Sequence, residues 1–571
     1  MAPRRKCPFS GKAKKEQLKE KKVKNQSKRR KKANLPFLRN SHTEESDDEP
    51  QMTVKLNHQP SKSNVKNNSR DVNRYVLQFY KESKAEINDK KLEAQKSLQM
   101  VGEKEMEIDS KDFFPQGIDF PRRPPWNFNM SRDELNAREH RYFTEFVKKI
   151  ENEFGSKNLS YFELNLETWR QLWRVLEMSD IVLIIVDVRF AVFMFPPTLY
   201  KYVCEELKKD MILVLNKIDL VPPELIVAWK HYFLQHYPTL KIVTFTSLPS
   251  YNLRNVKENK SGLKNLRRKC KPLMAAEGAQ KLYEACNEIT EGQVDLSCWA
   301  DKIKEQMKSN YVEDETQIKI VTEVEDTGYQ EHTKYQQGTL TIGCIGQPNV
   351  GKSSLMNAIM GKKVVSVSRT PGHTKHFQTI YLTKNVILCD CPGLVFPSKI
   401  QRTIQILNGA YPIAQVREPY MAVKYLAERL DLPRLLGIQH PENDDTWSAI
   451  DICDGWAKKR GFFTAKTARP DTYRAANSIL RMSLEGKICL FFKPPGYHEN
   501  KEHWKNHPEV ADVAWIQAKY KNENDGIKSD GESENESFGD ESDSPGEETD
   551  DSDETDPMPK TSNRFQLLEE T

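Results

Sequence analysis

The chain has 571 residues, of which 37% are hydrophobic and 30% are charged, and its formal net charge is +5. This length predicts two or three domains, and the composition indicates folded cores with disordered ends. The ten cysteines contain no CxxC pair, which is typical of reduced thiols in the cytosol or nucleus, and neither a secretory signal nor a membrane span is expected from the basic N-terminus and the short apolar runs.

Opposite charges are concentrated at the two ends of the chain. Residues 1–33 contain fifteen Lys and Arg against only Glu16 and Glu20. The charged residues of 523–556 are all acidic apart from Lys528. Such blocks repel themselves, so we predict a basic disordered arm over residues 1–75 and an acidic disordered tail over residues 521–571. The arm suits binding to RNA phosphates and contains a sequence typical of nuclear import, although a solubilising tail is the alternative.

An N-terminal helical and extended region is predicted over residues 76–160. Its Phe120–Trp126 segment contains three prolines and is expected to be stiff and extended. A capping-box pattern beginning at Ser131 predicts a helix that continues to about Ile150.

A single α/β domain is predicted over residues 161–400. Continuous apolar runs are typical of parallel strands buried on both faces, and they occur at 181–186, 211–215, 242–246, 340–345 and 386–389. Helical patterns lie between them at 165–178, 197–209 and 223–236. This alternation predicts a doubly wound sheet, with an insertion at 250–335 that contains a helix near 276–288. A helical C-terminal domain is predicted over 401–520, most clearly at 420–430 and 471–484.

The segment from Gly346 to Ser353 matches the phosphate-binding pattern GxxxxGK(S/T) between a predicted strand and a predicted helix. In such a loop the backbone wraps the phosphates, Lys352 reaches the β- and γ-phosphates, and Ser353 ligates Mg²⁺. The alternative is an ordinary glycine turn. The expected nucleotide contacts are Gly346, Asn349, Val350, Gly351, Lys352, Ser353 and Ser354.

A second phosphate-sensing pattern, DxxG, begins at Asp390 after another apolar strand. Asp390 is expected to hold Mg²⁺ through water, and the Gly393 amide is expected to contact the γ-phosphate. Between the two patterns, Thr374 is the preferred threonine for Mg²⁺ coordination and Thr370 is the alternative, although either threonine could belong to an ordinary loop.

The guanine-recognition pattern NKxD occupies residues 216–219. The Asp219 carboxylate can accept hydrogen bonds from guanine N1–H and the 2-amino group, which adenine cannot supply. The stem of Lys217 can cover the base, and Asn216 can tie this loop to the phosphate-binding loop. Thr246 and Ser247, after the next strand, are placed where backbone amides would contact guanine O6.

The order of these patterns is unusual, because guanine recognition at 216–219 precedes phosphate binding at 346–353. The chain therefore resembles the circularly permuted, ribosome-associated GTPases of the YlqF/YawG group over roughly residues 110–500. Asp187-Val-Arg189 and Phe120–Trp126 also resemble elements of that family. The resemblance implies a P-loop GTPase fold, GTP or GDP with Mg²⁺ as ligands, and a monomer that binds a ribosomal precursor particle and rRNA in the nucleus, nucleolus and cytoplasm.

Hydrolysis is expected to be slow. Leu394 follows the DxxG pattern where small GTPases carry a glutamine that orients the attacking water. In GTPases with GxPNxGK loops, an asparagine at the position of Asn349 can help to bind K⁺ beside the phosphates; a role confined to stabilising the loop is the alternative. The groups expected to serve catalysis are thus Lys352, Thr374, Gly393 and Asn349.

Three classes of function fit these features to different degrees. The preferred hypothesis is a slow GTPase that acts as a molecular switch, and the alternative is a nucleotide-regulated scaffold with negligible turnover. A metabolic GTP-dependent enzyme is disfavoured, because no second substrate motif is evident. Basic residues near an aromatic suit an RNA-facing surface, although a solvated helix face is the alternative; they are Lys458, Lys459, Arg460, Lys466, Arg469, Tyr473 and Arg474.

Overall fold

The structure is a computed structural model. It describes residues 54–55, 82–127, 129–155, 158–246, 272–308, 322–323, 333–361, 364–365, 378–442, 444–464 and 468–518. The described residues up to Gln517 belong to one compact unit.

An eight-stranded sheet is the centre of the fold, with strand order β4-β3-β2-β6-β8-β7-β1-β5. The strands are β1 Val54–Lys55, β2 Ile181–Asp187, β3 Asp210–Asn216, β4 Lys241–Thr244, β5 Thr322–Glu323, β6 Leu340–Ile345, β7 Gln378–Thr383 and β8 Val386–Asp390. The five strands from β4 to β8 in this order are parallel to their neighbours, and β7 is antiparallel to both β8 and β1.

Helices cover the sheet and continue beyond it. Those before the phosphate-binding loop are α1 Lys84–Ala94, α2 Ser110–Phe113, α3 Arg132–Phe154, α4 Leu166–Met178, α5 Ala191–Met194, α6 Pro197–Tyr200, α7 Pro223–His236, α8 Pro272–Thr290 and α9 Ser297–Lys308. Those after it are α10 Lys352–Met360, α11 Arg402–Leu407, α12 Tyr420–Ala427, α13 Leu432–Leu436, α14 Ala449–Arg460, α15 Thr472–Leu484, α16 Lys501–Lys505 and α17 Glu509–Ala518. Within the described residues, no helix has the length and apolar character needed to cross a membrane.

The sheet brings distant parts of the sequence to one edge. The strands β2 and β3 pair along their whole length, so that Asp187 lies opposite Asn216, and β2 pairs with β6 on its other side. The chain moves outward from β2 to β4 and then returns to the other side of β2 at β6. In open α/β sheets, ligands bind at the carboxyl ends of the strands where the strand order reverses in this way. The β2–β6 boundary is therefore the expected binding edge.

The described structure confirms the predicted α/β class with mostly parallel strands, and several boundaries are corrected. The helix predicted to end near Ile150 continues to Phe154, and the predicted helix over 197–209 is a short α-helix followed by the π-helix Lys201–Glu206. The strand β7 was not predicted. The two strand residues 54–55 fall within the predicted disordered arm, the rest of which lies outside the described residues. The proposed domain boundaries stay predictions.

Two helices within the predicted insertion complete one layer of the fold. The helix α8 packs against β4 and α10, and α9 packs against α8 and β7. Within α9, Trp299 and Ile303 are buried. The strand β4 precedes the inserted segment in the sequence, whereas α10 and β7 follow it. The inserted segment therefore packs against both parts of the domain that it separates in the sequence.

The buried residue Glu163 joins the residues before α4 to the segment after β8 through its backbone. Glu163 is 2% exposed, and its backbone amide donates to the carbonyl of Val395 at 3.0 Å. Its Oε1 accepts from the Asn165 amide at 2.8 Å. Burial raises the pKa of Glu163 from its ordinary 4.5 to about 7, although the hydrogen bonds from the Asn165 and Leu164 amides oppose that shift.

We predict that Glu163→Gln stabilises the protein at pH 8. A carboxyl group with a raised folded-state pKa stabilises the fold fully below pH 4.5 and loses that contribution as the pH rises to about 7. At roughly 1.4 kcal/mol for each pH unit between the two values, the variant should gain about 3 kcal/mol at pH 8. Urea unfolding at pH 5 and pH 8 measures the change. An equal effect of the substitution at both pH values would contradict the prediction.

Candidate nucleotide-binding site

The phosphate-binding loop leaves β6 at Ile345 and enters α10 at Lys352. Gly351 has φ 99°, and a Cβ atom there would lie 2.5 Å from the side-chain amide nitrogen of Asn216. Gly393 also packs tightly against this loop, because a Cβ atom there would lie 2.9 Å from the backbone of Pro348. Glycine is therefore required where this loop meets the two other nucleotide motifs.

The guanine-recognition loop is bonded directly to the phosphate-binding loop. The Asn216 side-chain amide donates to the Val350 carbonyl at 2.7 Å, as expected from the sequence. The Lys217 ammonium donates to the Asn349 carbonyl at 2.7 Å and to Asp187 Oδ2 at 2.8 Å. The bonds to Val350 and Asn349 join residues more than 130 positions apart in the sequence, and they fix the guanine-recognition loop against the phosphate-binding loop.

Asp187, at the end of β2, is fully buried between two cations. Arg189 donates to both of its carboxylate oxygens at 3.1 and 2.8 Å, and Lys217 donates to one of them. Burial alone would raise the pKa of Asp187, but Arg189 and Lys217 hold it below the ordinary value. Arg189 also donates to the Ser483 carbonyl at 2.9 Å, which connects this ion cluster to α15.

Asp219 and Thr246 form the base end of the candidate site. Asp219 is buried, and the Thr246 hydroxyl donates to its Oδ1 at 2.8 Å. The sequence predicted Thr246 as a backbone contact to guanine O6. The structure gives its side chain a different task, since it orients the carboxylate expected to recognise the base. Ser247 lies outside the described residues.

Lys352 and Asp390 are the residues that the sequence predicts to contact the phosphates and Mg²⁺. The Lys352 ammonium is buried and donates to the carbonyls of Gly346 and Gln347 at 3.0 and 2.9 Å. Both Asp390 carboxylate oxygens are buried without a hydrogen-bond partner among the described residues. Burial raises the pKa of Asp390 to about 6, against the attraction of Lys352. A buried carboxylate of this kind favours a cation beside it, so the donor set fits the Mg²⁺ ion that the sequence predicts.

The residues after Asp390 are held by the phosphate-binding loop and by the N-terminal region. The Leu394 amide donates to the Gly346 carbonyl at 3.2 Å, and the Leu394 side chain is fully buried. The Ser160 amide donates to the Ser398 carbonyl at 2.8 Å. The Gln405 side chain, in α11, makes two hydrogen bonds to the backbone of Tyr161. The segment that follows the DxxG pattern is therefore fixed from both sides.

The phosphate-binding loop also contacts the C-terminal helices. Asn349 has φ 61°, and its side-chain amide donates to the carbonyl of Gly409 at 3.0 Å. Gly409 follows α11 and has φ 81°. A Cβ atom at this position would also have no space beside Asn349. This bond is compatible with the loop-stabilising role that the sequence left open for Asn349.

Some of the predicted site residues lie outside the described residues, and others make contacts away from the nucleotide motifs. Thr370, Thr374 and Lys466 are outside the described residues, so their predicted roles rest on the sequence. In the predicted RNA-facing cluster, the Lys459 ammonium donates to the carbonyls of Leu436 and Gly437. The Tyr473 hydroxyl donates to the Val416 carbonyl. These two side chains thus make contacts within the protein.

Sequence reasoning missed a contact at the guanine-recognition loop. The Gln517 side-chain amide, near the end of α17, donates to the Ile218 carbonyl at 2.6 Å and to the Val221 carbonyl at 3.1 Å. A lone glutamine close to an acidic tail carries no motif. Only the position of α17 beside α7 makes its role evident.

Known proteins resemble this chain in sequence and, more distantly, in structure. The family model described as 50S ribosome-binding GTPase matches residues 341–433. Guanine nucleotide-binding protein-like 1 of Homo sapiens is 48% identical over 491 residues, covering 81% of this chain and 80% of the relative. Large subunit GTPase 1 of Saccharomyces cerevisiae is 33% identical over 395 residues, covering 66% of this chain and 58% of the relative. The crystal structure of YlqF from T. maritima, bound to GNP, covers 58% of this chain and 98% of its own, with 16% identity and a TM-score of 0.32.

We predict that Asp219→Asn shifts binding from guanine to xanthine nucleotides. Xanthine carries an oxygen in place of the 2-amino group, so an amide donor from asparagine favours it. Loss of the guanine contact should weaken GTP binding by about 2 kcal/mol or more. Fluorescent GDP and XDP titrations measure both affinities, with Asp301→Asn on the exposed face of α9 as the matched control. Unchanged GDP affinity without a gain for XDP would remove Asp219 from base recognition.

Proposed function

The chain belongs to the guanine nucleotide-binding protein-like 1 family of circularly permuted GTPases, and we propose that it is a GTP-operated molecular switch that hydrolyses GTP slowly in ribosome assembly. It is a GTP-binding protein by its family. The rate of hydrolysis, the ribosomal role and the residues of the site are the proposed parts.

One observation carries the switch proposal, namely the position of the segment that follows Asp390. In GTPases the γ-phosphate and Mg²⁺ order this segment, and its release after hydrolysis changes what the protein binds. Here the segment runs from Gly393 directly to Ser398 and Gln405, which are bonded to residues 160 and 161. A movement at Gly393 would therefore strain contacts with both the N-terminal region and α11.

The proposed ligands follow from the donor groups at the sheet edge. Asp219 would accept the guanine donors, and the backbone of Gly351 with the ammonium of Lys352 would receive the phosphates. Ser353, Asp390 and Thr374 would hold Mg²⁺, whose chemistry is to neutralise charge on the β- and γ-phosphates. Lys352 would exchange the carbonyls of Gly346 and Gln347 for phosphate oxygens when the nucleotide binds.

The proposed partner is a ribosomal precursor particle with its rRNA. The names of a matching family and of one relative support this choice, namely the 50S ribosome-binding GTPase family and Large subunit GTPase 1. The fifteen basic residues of 1–33 suit contacts with RNA phosphates. We further propose a monomer that acts in the nucleus, nucleolus and cytoplasm, consistent with the import-like sequence at 28–32.

The buried Leu394 supports slow turnover. Its side chain is fully buried and cannot hydrogen-bond to water, so the usual water-orienting group is replaced by packing. The same observation favours a second candidate function, a nucleotide-regulated scaffold with negligible hydrolysis. Stimulation of GTP hydrolysis by a cation such as K⁺, or by a group from a partner, would distinguish the switch from the scaffold.

Sedimentation through sucrose gradients tests the ribosomal role. We predict that the tagged protein sediments with precursor particles when a non-hydrolysable GTP analogue is present, and sediments less with GDP. Lys352→Ala should lose this difference, because it removes phosphate contacts of about 3 kcal/mol, roughly a hundredfold in affinity. Lys384→Ala, at an exposed turn between β7 and β8, is the matched control. Equal association in both nucleotide states would favour the scaffold, and no association would refute the ribosomal role.

Hydrolysis in different salts tests the catalytic proposal. We predict several-fold faster GTP turnover in KCl than in NaCl at equal ionic strength. Asn349→Ala should abolish the difference, whereas Asn385→Ala, whose side chain donates to the Asp295 carbonyl away from the phosphate-binding loop, should retain it. Phosphate release under single-turnover conditions is the measurement. Equal rates in both salts would refute the K⁺ role and leave a partner-supplied group as the better explanation.

A further inference from the structure

Three side chains capable of binding a metal meet between α7 and the start of α17. His231, His507 and Glu509 each offer a ligand atom, and these atoms lie within 4.8 Å of one another. None of the three belongs to the nucleotide motifs. Sequence spacing concealed the cluster, because His507 follows His231 by 276 positions, and the nearby histidine pair His503 and His507 does not by itself indicate His231 as a partner.

The His231 ring offers a buried nitrogen atom. Its Nε2 atom is buried without a hydrogen-bond partner among the described residues, and it lies 3.8 Å from Glu509 Oε1. A buried, unsatisfied ring nitrogen costs free energy in the absence of a partner, and a metal ion would supply one.

Glu509 can serve a metal without losing its ion pair. Its Oε2 accepts from the Lys230 ammonium at 2.6 Å, while Oε1 faces His231. A carboxylate that is hydrogen-bonded on one oxygen and bound to a metal on the other is a common arrangement. Lys230 opposes cation binding by its charge, but it also orients the carboxylate.

His507 needs a small rearrangement to become a ligand. Its ring centroid lies 4.8 Å from that of His231, and its Nδ1 accepts a long hydrogen bond, 3.3 Å, from the Glu509 amide. A metal on Nδ1 would take that lone pair, and a metal on Nε2 would move the ring proton to Nδ1. Either choice replaces one weak, part-exposed hydrogen bond with a coordinate bond.

We propose that His231, His507 and Glu509 form a zinc site that joins α7 to the C-terminal helices. Two imidazoles and one carboxylate are a ligand set that Zn²⁺ accepts, with water at the fourth position. Tetrahedral bonds of about 2.0–2.2 Å place ligand atoms about 3.4 Å apart. The ligand atoms lie within 4.8 Å of one another, so they must approach by up to about 1.4 Å, which side-chain rotation can supply.

The position of the site gives the metal a structural role. Glu509 is the first residue of α17, and Gln517 of the same helix donates to the carbonyls of Ile218 and Val221 in the guanine-recognition loop. His231 lies on α7, which begins at Pro223, immediately after that loop. Zinc would hold the first turn of α17 to α7 and would thereby support the contact made by its last turns.

Metal titration of the full-length protein tests the proposal. The protein is purified without a histidine tag and stripped with a chelator, and ZnCl₂ is then titrated against a chromophoric competitor. We expect a site whose affinity falls at least tenfold in His231→Ala and in His507→Ala. His140→Ala, an exposed histidine on α3, is the matched control and should bind as the parent does. CoCl₂ should give visible absorption bands typical of a tetrahedral site, and both variants should lose them.

Other binding groups and misfolding are controlled separately. Cysteine thiolates elsewhere would give charge-transfer bands with Co²⁺, which nitrogen and oxygen ligands do not. Glu509→Gln keeps the shape of the side chain, so it replaces either histidine variant that fails to fold by circular dichroism. Zinc affinity that is unchanged in every folded variant of the three residues would overturn the proposal, as would the absence of binding to the parent protein.

Discussion

The three-way contact of Lys217 holds the nucleotide site together. Its ammonium group bonds to Asp187 at the end of β2 and to the carbonyl of Asn349 in the phosphate-binding loop. The lysine itself follows β3, so one side chain connects the ends of three neighbouring strands. Asp187 is fully buried, and each of the two cations beside it offsets part of the free-energy cost of burying its charge. The base and phosphate loops are consequently positioned by one ion cluster.

Circular permutation changes what the segment after the DxxG pattern is connected to. With the phosphate-binding loop after the guanine-recognition loop, the chain leaves the sheet through this segment, which is the one proposed to sense the γ-phosphate. Free ends of that kind would fray unless other residues fix them. Here the backbones of Ser160 and Glu163 bond to Ser398 and Val395, and Phe396 packs between aromatic rings. The residues before α4 therefore replace the covalent continuity that the permutation removed.

The sequence predicted those parts of the fold that are buried uniformly. The strands β2 and β3 are buried along both faces, so their apolar runs were unambiguous. The strand β7 mixes buried and partly exposed residues and begins with two polar ones. It also pairs with a two-residue strand, so its sequence pattern was not detected. Likewise α14 has small and charged residues mixed around its surface, with Gly455 and Trp456 in its buried set.

The site was predictable to the extent that its chemistry is encoded in contiguous motifs. Phosphate and base contacts follow from short patterns, because each loop does its work with backbone amides and one or two side chains. The sequence placed Asp187 and Arg189 in one family-like element and Lys217 in another, but it did not predict that the three form one ion cluster. The contact of Lys217 with Asp187 depends on the register between β2 and β3. Thr246 illustrates the same limit, since its hydroxyl contact with Asp219 requires the relative height of two loops.

The C-terminal helices contact three of the described segments at the candidate nucleotide site. Gly409 accepts from Asn349 in the phosphate-binding loop, Gln517 donates to the guanine-recognition loop, and the Ser483 carbonyl accepts from Arg189 of the ion cluster. A nucleotide-dependent movement that changes any of these three bonds would be transmitted to the helices. By linkage, a partner that shifts the helices through these bonds would change nucleotide affinity by the same factor as nucleotide changes the affinity for the partner. This connection is separate from the segment that follows Asp390, and it is made between side chains and distant backbone carbonyls, which sequence motifs do not detect.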